Sequence, residues 1–243
     1  MAMARKTSSD SARTKSGTAA KKAPVVRPVR RADVRLPSLA PFEDGALESE
    51  GDYDGIEFRD LDLAGQEGRG ARFMDCGMYG VALDETRLSR ARIMDSVLDG
   101  VCGVGTDLAE ATLRDVELID ARLGGVQLHA SVLERVLVRG GKIDYLNLRT
   151  ARLKDVVFES CVLVEPDFGG ARLERVEFRD CVIRRADFSA ATMVDVDLRT
   201  VAELDIARGL DRLTGSVISP SQLLDLAPAF AAQMGVKVAG PGA

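Results

Sequence analysis

The chain has no Trp, one His and only 5% aromatic residues among 243. Active sites and small-molecule pockets draw heavily on these side chains, so their scarcity argues against an enzyme. P-loop, G-x-S-x-G and H-E-x-x-H patterns are missing. The glycine-rich GQEGRG at 65–70 has no Lys and no helix after it, and His129 has no Cys or His cluster beside it. No catalytic, cofactor-binding or metal-binding residue is expected. The four cysteines, Cys76, Cys102, Cys161 and Cys181, form no C-x-x-C pair. No apolar run follows the basic start, so nothing marks secretion, and free thiols in a reducing cytoplasm are expected. No stretch reaches the roughly 18 apolar residues that cross a bilayer, so no membrane partner is expected.

What is present is an uneven distribution of charge. Residues 1–35 hold ten Lys/Arg against Asp10 and Asp33, whereas residues 36–243 hold 23 basic against 36 acidic side chains. The first segment is rich in Ser, Thr, Ala, Lys and Arg and poor in large apolar groups, which predicts a disordered basic tail. Two readings of it stand: an arm that touches nucleic acid or another polyanion, or a solubilising tail that folds back on the acidic body. An acidic stretch follows, with Glu43, Asp44, Glu48, Glu50, Asp52 and Asp54 and no basic residue.

From Phe58 to Leu198 the sequence repeats every five residues without insertion or deletion, giving 29 units. Large apolar residues fill 27 of the 29 central positions, and only Gly68 and Gly103 interrupt them. Two places earlier, Ala, Val, Cys, Leu or Ile stands in 22 of 29 units. Neither a helix period of 3.6 nor a strand period of 2 produces this pattern. A chain that turns a corner every five residues does, with one large and one small side chain pointing inward per side. Residues 20 apart also match by type: Phe158 with Phe178, Phe168 with Phe188, and the small series from Ala71 through Ala91 and Ala111 to Ala191. Four units per coil therefore predict an all-β solenoid of square cross-section. About seven coils at the inter-strand spacing give a rod on the order of 35 Å long.

The units ADFSA at 186–190, TDLAE at 106–110 and PDFGG at 166–170, with ARLKD, ARLER and ARIMD elsewhere, resemble the pentapeptide repeat family. The resemblance implies that family's right-handed quadrilateral β-helix over residues 56–200. On this reading residues 1–35 are the tail, 36–55 an acidic linker and N-terminal cap, and 201–243 a C-terminal cap. Cys76, Cys161 and Cys181 fall in the small inward lane as core residues, as do Phe158, Phe168, Phe178 and Phe188 in the central lane. VCGVG at 101–105 blurs the register and predicts a slipped coil. Ser219, Pro220 and Gln222 read as N-cap, first helical residue and capping-box partner of a helix over about 220–234.

Function then falls to the outward lanes. A candidate acidic ladder runs through Asp75, Asp95, Asp115, Asp155 and Asp195, interrupted by Arg135 and Arg175, with Arg72, Arg92, Arg152 and Arg172 three residues earlier as possible neutralisers. A candidate apolar patch consists of Leu137, Val157, Val162, Val164 and Val182. Leu223, Leu224, Leu226, Phe230 and Met234 make a broad apolar helix surface, either a lid on the last coil or a homodimer contact. Two functions are weighed: a scaffold or adaptor that binds a protein partner, and, by resemblance to family members that protect DNA gyrase from fluoroquinolones, a DNA mimic that binds gyrase.

Overall fold

The computed structural model describes residues 26–240; the tail residues 1–25, with whatever polyanion contact they make, lie outside the described residues. Every fifth residue from Gly45 to Asp195 has a left-handed backbone, with φ between 47° and 73°. This is the corner. Left-handed φ is costly for β-branched side chains and tolerable for Gly and Asp, and the lane holds Gly, Asp, Glu, Arg, Ser, Ala and Tyr145, with Thr150 the sole β-branched residue. Between corners the chain is extended, so the central residue and the one two before it point inward together.

The result is a parallel β-solenoid with four faces. Strands such as Arg92–Asp99, Thr112–Ile119, Val132–Arg139, Arg152–Glu159 and Arg172–Arg179 bend over a corner and serve the first two faces as one sheet. A second parallel sheet, from Cys102–Val104 to Glu203–Arg208, forms the third face. The fourth is held by isolated bridges such as Asp107↔Gln127 and Asn147↔Asp167. There the second residue of the unit is often Asp or Asn, and its side chain accepts the N–H two residues on: Asp107 from Ala109 at 2.9 Å, Asp167 from Gly169 at 2.8 Å and Asp187 from Ser189 at 2.8 Å. These Asx turns tighten that face, whereas Arg92, Arg152 and Arg172 in the same place leave the first face as strand.

Register holds at 20 residues through the stack, Leu133↔Leu153↔Leu173 being typical. Phe158 and Phe178 stack with centroids 4.9 Å apart, Phe168 and Phe188 at 5.1 Å, and Phe168 meets Phe178 edge-on at 6.1 Å. Cys76, Cys161 and Cys181 are fully buried, and burial pushes the Cys76 thiol up to about 11. Small polar residues in the inward lane are satisfied by carbonyls: Thr86 donates to Leu63 O at 2.9 Å and Thr106 to Leu83 O at 2.7 Å. The Leu-filled middle leaves an apolar cavity of about 50 Å³ beside Leu83, Leu98 and Leu123, far below the few hundred Å³ of a ligand pocket.

The interruptions of the repeat have separate causes. At Gly68 the space is taken by Leu47, whose Cδ1 would lie 3.3 Å from an added Cβ, and Gln66 accepts the Leu47 N–H at 2.7 Å. That whole unit serves the N-terminal cap. The slip expected at Cys102–Gly105 does not occur: Cys102, Gly103 and Val104 pair in register with Arg122, Leu123 and Gly124. A Cβ on Gly103 would lie 2.7 Å from the Leu83 carbonyl carbon, so the glycine permits close approach of the coil below rather than loosening the stack.

The solenoid has about nine turns rather than seven. Glu203–Arg208 and Ser216–Val217 continue both sheets after Leu198, and Ala40–Pro41 pairs with Ile56–Glu57 before Phe58. After Leu198 the register turns irregular: Arg179 pairs with Thr200 and Val182 with Glu203, 21 apart, whereas Ala186 pairs with Ile206 and Val196 with Ser216, 20 apart. At the N-terminal end Phe42 packs on Phe58 at 4.6 Å and Tyr53 stacks on Phe73 at 5.0 Å.

At the C-terminal end stands helix α1, Pro220–Gln233. Ser219 Oγ accepts the Gln222 N–H at 3.2 Å, and Gln222 Oε1 accepts the Ser219 N–H at 2.8 Å. The other end of the same amide donates to Leu198 O at 2.8 Å and Val201 O at 3.0 Å. One glutamine thus closes both the helix and the open edge of a coil.

Candidate functional site

The acidic ladder occupies the corner between the first and second faces, which explains its residue type: each member sits in the left-handed region. It is not a continuous negative stripe. Arg135 forms two parallel bonds to Asp115, at 2.6 and 2.7 Å, and Arg175 does the same to Asp155, at 2.7 and 2.8 Å. Coils stack about 4.8 Å apart, so a residue one coil away reaches where one three residues back along an extended strand does not. The neutralisers are therefore Arg135 and Arg175, and not Arg72, Arg92, Arg152 and Arg172. Arg72 pairs instead with Asp52 at 2.9 Å. Among the described residues Asp75 and Asp95 keep their charge uncompensated by any ion pair. Burial, then Asp115 and Asp75, raise the Asp95 carboxyl above its ordinary value.

The remaining members are met by the N-terminal segment. Arg27 donates to both oxygens of Asp195, Nε at 2.5 Å and N–H at 3.4 Å, and the Arg30 N–H donates to Asp155 at 3.1 Å. Residues 26–35, expected to be disordered, run in extended form lengthwise over the second face. Leu39 lies against Gly77 at the other end of that face, and Ala40 enters the first ladder. Burial alone would raise Asp155, but Arg175 and the Arg30 N–H outweigh it and hold it below its ordinary value. Arg27 holds Asp195 low as well.

This strap also divides the apolar patch. Leu137 and Val157 point outward, yet they are 8% and 1% exposed and belong to no part of the core cluster; they are covered from outside. Val162, Val164 and Val182 lie on the third face and are half-buried. One contiguous patch is therefore not formed. In α1, Leu226 is buried and Phe230 half-buried, while Leu223, Leu224 and Met234 are 51%, 75% and 79% exposed. The helix closes the coil with Gln222 and Leu226 alone and leaves the rest of its apolar surface uncovered.

Among the described residues no group of three His, Cys, Asp or Glu is placed to hold a metal ion, and no helix is long and apolar enough to cross a membrane. A family profile described as a pentapeptide repeat region matches residues 71–148, and one for pentapeptide repeats matches residues 161–199. The chain is a pentapeptide repeat protein. It is similar to the solved structure of HetL, a pentapeptide repeat protein involved in heterocyst differentiation regulation from the cyanobacterium Nostoc sp. strain PCC 7120. Identity is 17%, over 71% of this chain and 91% of that one, with a TM-score of 0.31. It is also similar to full-length QnrB1, a plasmid-mediated fluoroquinolone resistance protein, at 14% identity over 79% of this chain and 96% of that one, with a TM-score of 0.35. No curated protein sequence matches the chain.

Proposed function

We propose that the protein is a non-enzymatic interaction scaffold, and that α1 pairs with α1 of a second copy while the rod faces are left for another protein. The observation that carries this is the exposure of Leu223, Leu224 and Met234 on a helix whose first turn is fixed to the rod by Gln222. An apolar face of this kind on a rigidly seated helix marks an interaction site, and a self-complementary contact between copies is the commonest use of one. Sedimentation of the full chain at tens of micromolar should show a dimer, and Leu224→Asp should return it to a monomer that keeps the wild-type circular dichroism spectrum. A wild-type monomer at that concentration would sink the reading.

A second reading, modulation of DNA gyrase by mimicry of DNA, is favoured by one feature. Acids outside any ion pair gather at the N-terminal end, where Asp54 lies beside Glu43 and Asp44 and one coil before Asp75. Arg135, Arg175 and Arg27 break the negative face beyond them, which weighs for the scaffold. Titration of the full chain into a gyrase supercoiling assay, with and without a fluoroquinolone, separates the two. Inhibition or drug protection that is lost in Asp75→Arg/Asp95→Arg would establish mimicry; no effect at micromolar levels would exclude it.

A further inference from the structure

Residues 26–39 lie on the rod as a ligand lies on a receptor. Two coils separate Asp155 from Asp195, roughly 10 Å, and three extended residues separate Arg30 from Arg27, also roughly 10 Å. The two anchor points therefore match in spacing. Between them the strap presents Val29 to the rod, and beyond them Ala32, Val34 and Leu36, all half-buried, alternate with exposed Asp33 and Arg35. Beneath are Leu137 and Val157, apolar residues in a lane where the neighbouring coils carry Glu117, Glu177 and Asp197. Arg31 faces Glu177, which Arg179 also pairs with at 2.5 Å and whose carboxyl is raised by burial and by Asp197.

The attachment is of a particular kind. Among the described residues no backbone hydrogen bond joins residues 26–39 to backbone of the rod; the first is Ala40 N–H to Gly55 O at 2.8 Å, followed by Phe42 N–H to Glu57 O at 2.9 Å. The strap is thus pinned at its C-terminal end and held elsewhere by carboxylate contacts and half-buried apolar side chains. Arg27 is 62% exposed in its pair, and such contacts are individually weak and weakened by salt. Segments held this way open far more readily than the coils beneath them. What opening uncovers is a narrow track in which buried Asp155 and the carboxylates of Asp195 and Glu177 flank two apolar side chains.

We propose that the second face, from Leu137 to Asp197, is a docking groove for an extended, arginine-bearing segment of a partner protein, which residues 26–39 occupy in cis until that segment displaces them. The groove does not depend on α1 or on self-association. It recognises a chain that offers a backbone N–H to Asp155, an arginine to Asp195 three residues away, and small or branched apolar side chains to Leu137 and Val157. The tethered strap competes at an effective concentration on the order of millimolar, so the unmodified protein binds such a segment weakly.

The test uses a fluorescein-labelled peptide of residues 26–39, VRPVRRADVRLPSL, and the full chain. Arg27→Glu/Val34→Asp alters only the strap and should release it, seen as faster hydrogen exchange of the Arg27 and Arg30 amides, whose acceptors are Asp195 and Asp155, with the coils unchanged. Fluorescence anisotropy should then show the peptide binding this variant about 10-fold or more tighter than it binds wild type, with affinity falling as salt is raised. Val157→Glu places in the groove the residue that the next coil carries at Glu177; it should keep the wild-type circular dichroism spectrum, release the strap and abolish peptide binding in both backgrounds. The proposal is overturned if the released variant binds no peptide at about 100 µM, if Val157→Glu binds it equally well, or if the strap keeps its wild-type protection in both variants. Concentration-dependent dimers of the wild type that persist in Leu224→Asp and vanish in Val157→Glu would assign the groove to the arm of a second copy instead, and would also overturn it.

Discussion

Replacing Phe178 by Ala is expected to lower the free energy of unfolding by about 4 kcal/mol, the usual cost of emptying a buried aromatic site. Phe178 is 1% exposed and belongs to both aromatic columns, stacked on Phe158 and edge-on to Phe168. The backbone on either side is fixed by ladders to the strands of Phe158 and Leu198, so the coil cannot collapse into the void. In a solenoid each coil is supported only by its neighbours. The loss should therefore appear first in the C-terminal coils, and the Asp195 seat of the strap should loosen with them. Urea unfolding followed by circular dichroism, with hydrogen exchange to locate the opening, measures both. Val182→Ala, at a half-buried outward position, should cost under about 1 kcal/mol.

Arg175→Ala should cost about 3–5 kcal/mol, because it strands a buried carboxylate. The Asp155 side chain is 1% exposed and the Arg175 side chain 12%, so while the strap is seated water cannot take the place of the guanidinium. Removing both, in Arg175→Ala/Asp155→Ala, should recover most of the loss. Arg135→Ala should cost only about 1 kcal/mol, since its partner Asp115 is 22% exposed and can hydrate. The pH dependence distinguishes this cause from lost packing. In the wild type the Asp155 carboxyl is held low, so its contribution is present above the unfolded value near 3.9 and is lost as pH falls through the folded one. In Arg175→Ala burial dominates and raises the carboxyl, so protonation relieves the strain. The gap between variant and wild type should narrow from pH 7 towards pH 4, whereas a packing defect would leave it constant.

The five-residue spacing made the coil, its square section and the stacking of Phe158 on Phe178 legible, because each is set by neighbours at a fixed separation along the chain. The capping box at Ser219 was legible for the same local reason. The second use of Gln222, on Leu198 and Val201, was not, since the partners are carbonyls that every residue possesses. A tail that folds back on the acidic body is one of the two readings its sequence allows, but the seat of the strap was hidden more deeply. Its composition is that of a soluble tail, and its seat depends on Asp155 and Asp195, more than a hundred residues away. One signal was available: Leu137 and Val157 stand 20 apart in an outward lane, directly stacked, and the segment from Ala32 to Leu36 alternates in a period of two. Apolar side chains stacked on the outside of a rod need a cover, and an alternating segment of the same chain can supply one. The turns beyond the regular repeat were missed because their spacing does not hold at 20: Ala40 pairs with Ile56, 16 apart, at one end, and the register shifts near Thr200 at the other.

The strap and the rod advance by different steps. One coil adds about 4.8 Å along the axis, whereas one extended residue covers about 3.3 Å, so a coil corresponds to roughly one and a half strap residues. Repeat arrays lengthen by duplicating a unit, but here a duplicated coil between Ala40 and Asp155 would carry both carboxylate anchors away by a non-integral number of residues. The strap residues that now meet Asp155 and Asp195 would no longer fall opposite them. The N-terminal segment therefore acts as a gauge of coil number, and a change in rod length must be accompanied by a change upstream of Ala40 for the groove to stay filled.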